Sequence, residues 1–465
     1  MKTYCCIFAI FLACACRAQE VASHSSAGES YEQGLVLMMA GEAVAALLAF
    51  EAAVKAAPDY VEAYLAMGDL HLQTEEHGKA RRAYERALQI QPQAPGAHVG
   101  LGHVVWQTEQ DPQQALEFYR AALDFDLNHA EATYFAGKML AAQNQAEAAL
   151  PILEKAIQLA PQAYEPHLSL GLCRLMQRDY EAAKAHWQAA KNKGGMPYVL
   201  LEWSRNLLAT VAENGILITA SELETHPLLY LQECEGLRRD VGIVNLNLLS
   251  EVWYIQMLRD RAPRLDIRFD DEYLTGKLRP RLLPAAERME AAGLSWILSP
   301  APGQKNLRVQ DLMLLKIIAW NEWQRPLFFA ITVAPSEQLG LQDYLSLEGL
   351  AWRLCRNKVE ALQPKKIWEN VRENYFYEHV KEVRLAGNAP ALLANYGKIF
   401  CLLAEAFYQR REFAPAGAAL AWGDSAGVFK DAASNDWAAR LAGGIGEKMI
   451  AAKFQARAAL LRRQK

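Results

Sequence analysis

Glu222 and Glu224, one residue apart and followed at once by His226, are the side chains in this sequence best suited to chemistry. Two carboxylates beside an imidazole can ligate a divalent cation or exchange a proton as an acid/base pair. They follow the apolar run Ile216-Leu-Ile-Thr219, which suits a buried strand, so they fall at a strand end. Asn245 and Asn247 close a second such run, and Thr225 and Arg325 add further polar groups that could hold a ligand. The same residues have a structural explanation. Acids in the first turn of a helix complement its dipole, Thr225 precedes Pro227 closely enough to cap, and asparagines end strands in turns. Arg325 in Asn321-Glu-Trp-Gln-Arg-Pro326 suits a loop tie as well as a bound carboxylate. Because Leu223 puts an apolar side chain between the two acids, helix capping is the expectation carried forward. Gly423-Asp-Ser-Ala-Gly427 matches the nucleophile-elbow string, yet it follows an Ala-rich helical stretch instead of a strand, so it reads as a helix-ending turn. Cys173, Cys234, Cys355 and Cys401 lack CxxC spacing, and no metal or cofactor is expected.

The chain that must position these residues has 465 of them, 52% hydrophobic and 22% charged, with a net charge of −4. That composition excludes a largely disordered chain, and the small negative charge gives no attraction for nucleic acid. Lys2 and the apolar run Tyr4 to Ala15 precede a polar stretch, which is the pattern of an export signal over residues 1–18. Cleavage after Ala15 or Ala18 would release a soluble form, whereas lipid attachment at Cys14 or Cys16 would anchor the protein. Either places it outside the cytoplasm, in the periplasm or on the envelope membrane of a bacterium. Leu35 to Phe50 is apolar enough to imitate a membrane span, but Gly41 and Glu42 interrupt it.

Glycines at 34, 68, 102, 137 and 171 repeat in steps of 34 or 35 residues. A small residue follows each by about twelve positions (Ala46, Ala80, Ala115, Ala149, Ala183), then a large one (Phe50, Tyr84, Tyr119, Leu153, Trp187), then another alanine. Pro58, Pro92 and Pro161 close three of the units, and Leu127 stands where the third would have its proline. This pattern resembles the tetratricopeptide repeat, and it implies five helix pairs over residues 30–195 whose concave face takes a protein partner. The alternative is a scaffold within the chain.

Beyond Gly194-Gly195 short apolar runs alternate with helical ones. Strands are expected at 215–219, 241–245, 294–298 and 326–332, with helices at 201–213, 227–235, 248–259, 285–292 and 309–323. That alternation predicts an α/β module over 200–360 with a mainly parallel sheet and its crevice beyond the strand carboxyl ends. Ile216 to Gln232, Glu235 to Leu249, Trp253-Tyr254, Asp311-Leu-Met313, Asn321 to Ala330 and Leu339 to Arg353 resemble the soluble tail of the DUF2723 family, membrane proteins similar to protein O-mannosyltransferases. Glycosyl transfer in that family belongs to the membrane-embedded part, so the resemblance implies no activity for the tail. The family's Gly-Asp-Asn-Asp-Thr stands here as Ser221-Glu-Leu-Glu-Thr225. Residues 364–465 are expected to be helical at 365–377, 392–411, 413–422 and 436–463, with Asn395-Tyr396, Ala404 and Ala406 resembling a degenerate repeat pair.

The fold expected is thus an α-solenoid followed by an α/β module and a helical tail. The function expected is that of a noncatalytic, exported adaptor whose array binds a protein, with the envelope glycosylation machinery as its setting. The rival is an enzyme acting on a glycan or glycolipid at the strand ends of the module.

Overall fold

The computed structural model describes residues 25–300, 305–381 and 389–463. The export segment with Cys14 and Cys16 lies outside the described residues. The chain forms two compact units that meet between Ala183 and Lys184.

Helix pairs build the first unit. They are α1 (25–39) with α2 (Ala43–Ala56), α3 (Val61–Gln73) with α4 (His77–Ile90), α5 (Pro95–Glu109) with α6 (Pro112–Phe125), and α7 (Ala130–Ala142) with α8 (Ala146–Leu159). The helices α9 (Glu165–Met176) and α10 (Tyr180–Asn192) follow. The glycine period has a direct physical cause. A Cβ on Gly34, Gly68, Gly102 or Gly137 would overlap Phe50, Tyr84, Tyr119 or Leu153, the large residue on the second helix of the same pair. Ala46, Ala80, Ala115 and Ala149 are fully buried and let the two helices close on each other. Each buried ring or leucine contributes roughly 1.5–3 kcal/mol by leaving water. One residue with positive φ turns the chain inside every pair: Gly41, Glu75, Gln110, Asn144 and Arg178. The turn at Gly41 divides the apolar stretch Leu35 to Phe50 between α1 and α2. The step from Gly102 to Gly137 is one residue longer than the others, and the extra residue is absorbed at the Gln110 turn, where Asp111 accepts bonds from the backbone N–H of Gln113 and Gln114 and caps α6.

The second unit opens with α11 (Tyr198–Thr210), then β1 (Ile216–Thr219), α12 (Glu222–Glu233), β2 (Gly242–Asn245) and α13 (Val252–Asp260). After β3 (Arg281–Leu282), β4 (Glu287–Ala291), β5 (Leu294–Leu298) and β6 (Asn306–Leu307) come α14 (Val309–Asn321), β7 (Leu327–Ala330), β8 (Leu345–Leu347) and β9 (Ala351–Leu354). The main sheet has the order β2-β1-β7-β9-β8, with β2, β1 and β7 parallel and the last two antiparallel. Every residue of β1, β2 and β7 is buried, as strands covered on both faces must be.

Three expectations need correction. Residues 285–292 are not a helix: Glu287–Ala291 pairs antiparallel with Leu294–Leu298, so the 294–298 strand leaves the main sheet for a hairpin of its own. Positive φ at Ala292 and Gly293 makes the two-residue turn that pairing requires, and Trp296 donates its indole N–H to the Leu339 carbonyl at 2.7 Å to seat the hairpin. The helix expected from Pro227 begins instead at Glu222, because Ser221 caps it there. The 436–463 stretch is two helices, broken at Gly446 with φ of 88°.

The tail comprises α15 (Pro364–Glu369), α16 (Ala389–Gln409), α17 (Phe413–Ser425), α18 (Ala432–Gly444) and α19 (Lys448–Arg463). It is tied to α11 through the fully buried Asn206, which accepts from Phe376 N–H at 2.9 Å and donates to the Phe376 carbonyl and the Tyr396 hydroxyl, each at 2.7 Å. Gly423 to Gly427 ends α17, with Ser425 donating to the Trp422 carbonyl and Asp424 paired to Lys453 and Arg457. Among the described residues no helix is long and apolar enough to cross a membrane.

Tyr84 is enclosed by Gly68 on its own pair and by Gly100 on the next. Gly100→Val is expected to lower stability by roughly 1–3 kcal/mol, read from the urea midpoint. Gly78→Ala, in a helical position with open space around it, should leave stability unchanged or raise it by up to about 1 kcal/mol.

Candidate functional site

The carboxyl ends of the parallel strands bring together some of the residues singled out above and separate others. Ser221 caps α12, its hydroxyl accepting from Leu223 N–H at 3.2 Å, and Thr225 donates back to the Ser221 carbonyl at 2.8 Å. Asn245, buried at the end of β2, donates to the Thr225 hydroxyl at 2.7 Å. Its side-chain amide oxygen Oδ1 accepts from Asn247 N–H at 2.8 Å and Leu248 N–H at 3.3 Å, while the Asn247 side chain donates to the Ala220 carbonyl at 2.9 Å. Thr225, Asn245 and Asn247 therefore hold the ends of β1 and β2 to each other and have spent their bonding capacity largely on the chain itself.

Glu224 points elsewhere. Ser221 and Glu224 have the spacing of a capping box, but the carboxyl does not return to the Ser221 N–H. It is fully buried, accepting from the Thr332 hydroxyl at 2.7 Å just beyond β7. Burial pushes it up to about 7, against the opposing pull of Thr332 and of the Trp203 indole on α11. The expectation that this acid serves the helix terminus is thus replaced by a carboxyl set into the core between α11, α12 and the segment after β7. His226 is half-buried on the same helix. Glu222 is the first residue of α12, and its side chain lies outside the described ones.

Arg325 sits at the opposite, amino end of the strands. Its guanidinium donates to the carbonyls of Asn214 (2.8 Å), Arg264 (2.9 Å), Gly215 (2.9 Å) and Asp240 (3.0 Å). It works as the loop tie, and burial lowers its affinity for its proton. Thr332, Trp203 and Tyr254 were not singled out as site residues in the sequence. The Tyr254 hydroxyl accepts from Asn245 N–H at 2.9 Å and donates to the Ile243 carbonyl at 3.2 Å. Of these, only Trp253-Tyr254 carried a signal, as part of the family resemblance. Among the described residues no three His, Cys, Asp or Glu side chains come together as a metal site.

The helix-pair unit carries its own polar arrangement. The Tyr84 hydroxyl passes beneath Gly68 and donates to Asp69 at 2.6 Å. One unit on, the Tyr119 hydroxyl meets His103 Nδ1 at 2.9 Å, and His103 Nε2 meets Glu131 on α7 at 3.0 Å. Phe135 packs on both rings, 4.4 Å from His103 and 5.4 Å from Tyr119 between centroids.

Comparison with known proteins agrees with this division. The tetratricopeptide repeat model matches residues 31–97, 99–164 and 136–197, and the model of TMEM260-associated domain 2 matches 201–277 and 286–371. The chain joins a tetratricopeptide array to a TMEM260-associated domain. A curated relative, the mouse protein O-mannosyl-transferase TMEM260, is 32% identical over 65 residues, which is 14% of this chain and 9% of that protein. The chain thus spans about a tenth of the relative it matches. Solved structures similar to part of it include MamA from Desulfovibrio magneticus RS-1 (19% identity, TM-score 0.32, covering 37% of this chain and 97% of that one). YrrB, described as a TPR protein with an unusual peptide-binding site, is 21% identical with a TM-score of 0.29 over 35% of this chain and 84% of its own. Pseudomonas aeruginosa pilF is 14% identical with a TM-score of 0.37, covering 47% and 96%.

The buried carboxyl of the TMEM260-associated domain sets a pH dependence. A carboxyl raised from 4.5 to about 7 keeps its proton in the folded state after the unfolded chain has lost it. Its contribution to stability is therefore complete below about pH 4.5, falls between there and about pH 7, and is flat above. Glu224→Gln, which keeps an acceptor for Thr332, should remove this slope and make the protein roughly 1–3 kcal/mol more stable at pH 8, as measured by denaturant unfolding at several pH values.

Proposed function

We propose that the chain is an exported adaptor. Its tetratricopeptide array binds a protein partner, and its TMEM260-associated domain docks a component of envelope glycan or glycoprotein assembly. The observation that carries this reading is the exposure of Asp69 and Glu131 on helices α3 and α7, beside half-buried aromatic side chains. Asp69 holds one bond, from the Tyr84 hydroxyl, and Glu131 one, with His103. A carboxylate has about four acceptor sites, so each keeps capacity for a partner. At the strand ends of the domain, Asn245, Thr225 and Asn247 are bonded to one another or to neighbouring chain, and Glu224 is fully buried. The link to glycan assembly rests on likeness to a fragment of an O-mannosyl-transferase. Export, by cleavage after Ala15 or Ala18 or by lipidation at Cys14 or Cys16, belongs to the same proposal.

One observation favours the rival enzyme: a carboxyl that titrates near neutrality, close to where three parallel strands end, has the proton affinity of a general acid or base. The two readings separate on one pair of variants. In the adaptor, Tyr134→Ala on α7 abolishes recovery of a partner captured by the full chain, and Glu224→Gln retains both partner and complementation of a deletion strain. A stably folded Glu224→Gln protein that keeps its partner but fails to complement makes the domain an enzyme. Globomycin should cause a precursor to accumulate if Cys14 or Cys16 is lipidated, and leave processing unchanged otherwise.

A further inference from the structure

We propose that the partner segment seated in the array is an extended stretch rich in Lys and Arg, with Asp69 and Glu131 as its main contacts. This rests on the reading of the array as the partner-binding element and specifies the chemistry of what it binds. The first helices of the pairs pack directly on one another, α3 on α5 and α7 on α9, which places them on the inside of the curve. Charge is distributed unevenly between the two layers. The inner helices α1, α3, α5, α7 and α9 carry seven Asp and Glu against two cations, Lys138 and Arg174. The outer helices α2, α4, α6 and α8 carry six acids and seven Lys or Arg, a balanced surface.

The inner carboxylates act together along the groove. Besides burial, Glu62, Glu32 and Asp69 raise the proton affinity of the Tyr31 hydroxyl, and Asp69 with Glu131 raises that of Tyr84. Glu131 does the same to Tyr119, so the negative field runs on from α1 to α7. Asp69 and Glu131 thus face the groove, Asp69 holding the Tyr84 hydroxyl and Glu131 the His103 ring, on helices where acids outnumber cations. An ammonium or guanidinium supplied by a partner would relieve that excess. An acidic segment or a free carboxyl terminus would meet like charge along the same path.

The test uses the full chain and two fluorescein-labelled decapeptides, one alternating Lys and Ala and the other Glu and Ala, read by anisotropy. The Lys peptide should bind, about ten-fold more weakly in 300 mM than in 50 mM NaCl, and the Glu peptide should not. Asp69→Asn with Glu131→Gln should weaken the Lys peptide about ten-fold. Glu85→Gln with Glu117→Gln, the same charge change on the outer helices, should alter it less than about two-fold. Equal losses in the two double variants, a preference for the Glu peptide, or no binding of either would overturn the proposal. If the Lys peptide fails while Tyr134→Ala still abolishes partner recovery, the adaptor reading survives and only the cationic chemistry falls. A melt followed by circular dichroism separates either variant's binding loss from unfolding.

Discussion

In the TMEM260-associated domain two arginines, Arg238 and Arg325, donate to seven backbone carbonyls around the point where the main sheet begins. Arg238 bonds those of Leu208 (2.7 Å), Val211 (2.9 Å) and Ala212 (3.0 Å), and Arg325 bonds those of Asn214, Gly215, Arg264 and Asp240. Asp240 completes the arrangement, paired to Arg238 through both oxygens and accepting from Asn214 N–H at 2.8 Å. That pairing holds its carboxyl down at about 2. The result fixes where β1, the second strand of the sheet, begins. Everything at its other end, from the cap at Ser221 to the burial of Glu224, inherits its position from that start.

What could be read from the sequence follows from how local each cause is. The helix pairs were legible because one contact, a large side chain lying on a glycine sixteen or seventeen residues earlier, recurs in the first four units and leaves a period. The strands β1, β2 and β7 were legible because burial on both faces demands unbroken apolar residues. β4 was not, since Ala, Glu, Arg and Met in 285–292 favour a helix by local preference. Only pairing with Leu294–Leu298 across the Ala292-Gly293 turn overrides that preference. The break between α18 and α19 was written in Gly443-Gly-Ile-Gly446, a signal outweighed in the reading by the helical stretches on either side.

At the candidate site the residue types and their place at the strand ends were legible, but their roles were not. Whether Glu224 serves a helix terminus or enters the core depends on Thr332, 108 positions away, and on Trp203, from the preceding helix. Asn245 and Thr225 meet because β2 lies beside β1, a neighbourhood that the alternation of strands and helices suggests without specifying. The charge difference between inner and outer helices is present in the sequence throughout, yet it becomes visible only once the pairs are divided into layers.

The ring-on-glycine contact has a bearing on how such an array can change over generations. At the second joint Tyr84 lies between two glycines, Gly68 and Gly100. At the third, the residue equivalent to Gly100 is Phe135, and Tyr119 stacks on it. Units that look interchangeable by period are thus keyed to particular neighbours. Duplication or loss of a unit by recombination would bring a tyrosine against the wrong surface at the new joint, unless the exchange carried both sides of it. The length of this array is constrained by its joints more than by its repeats.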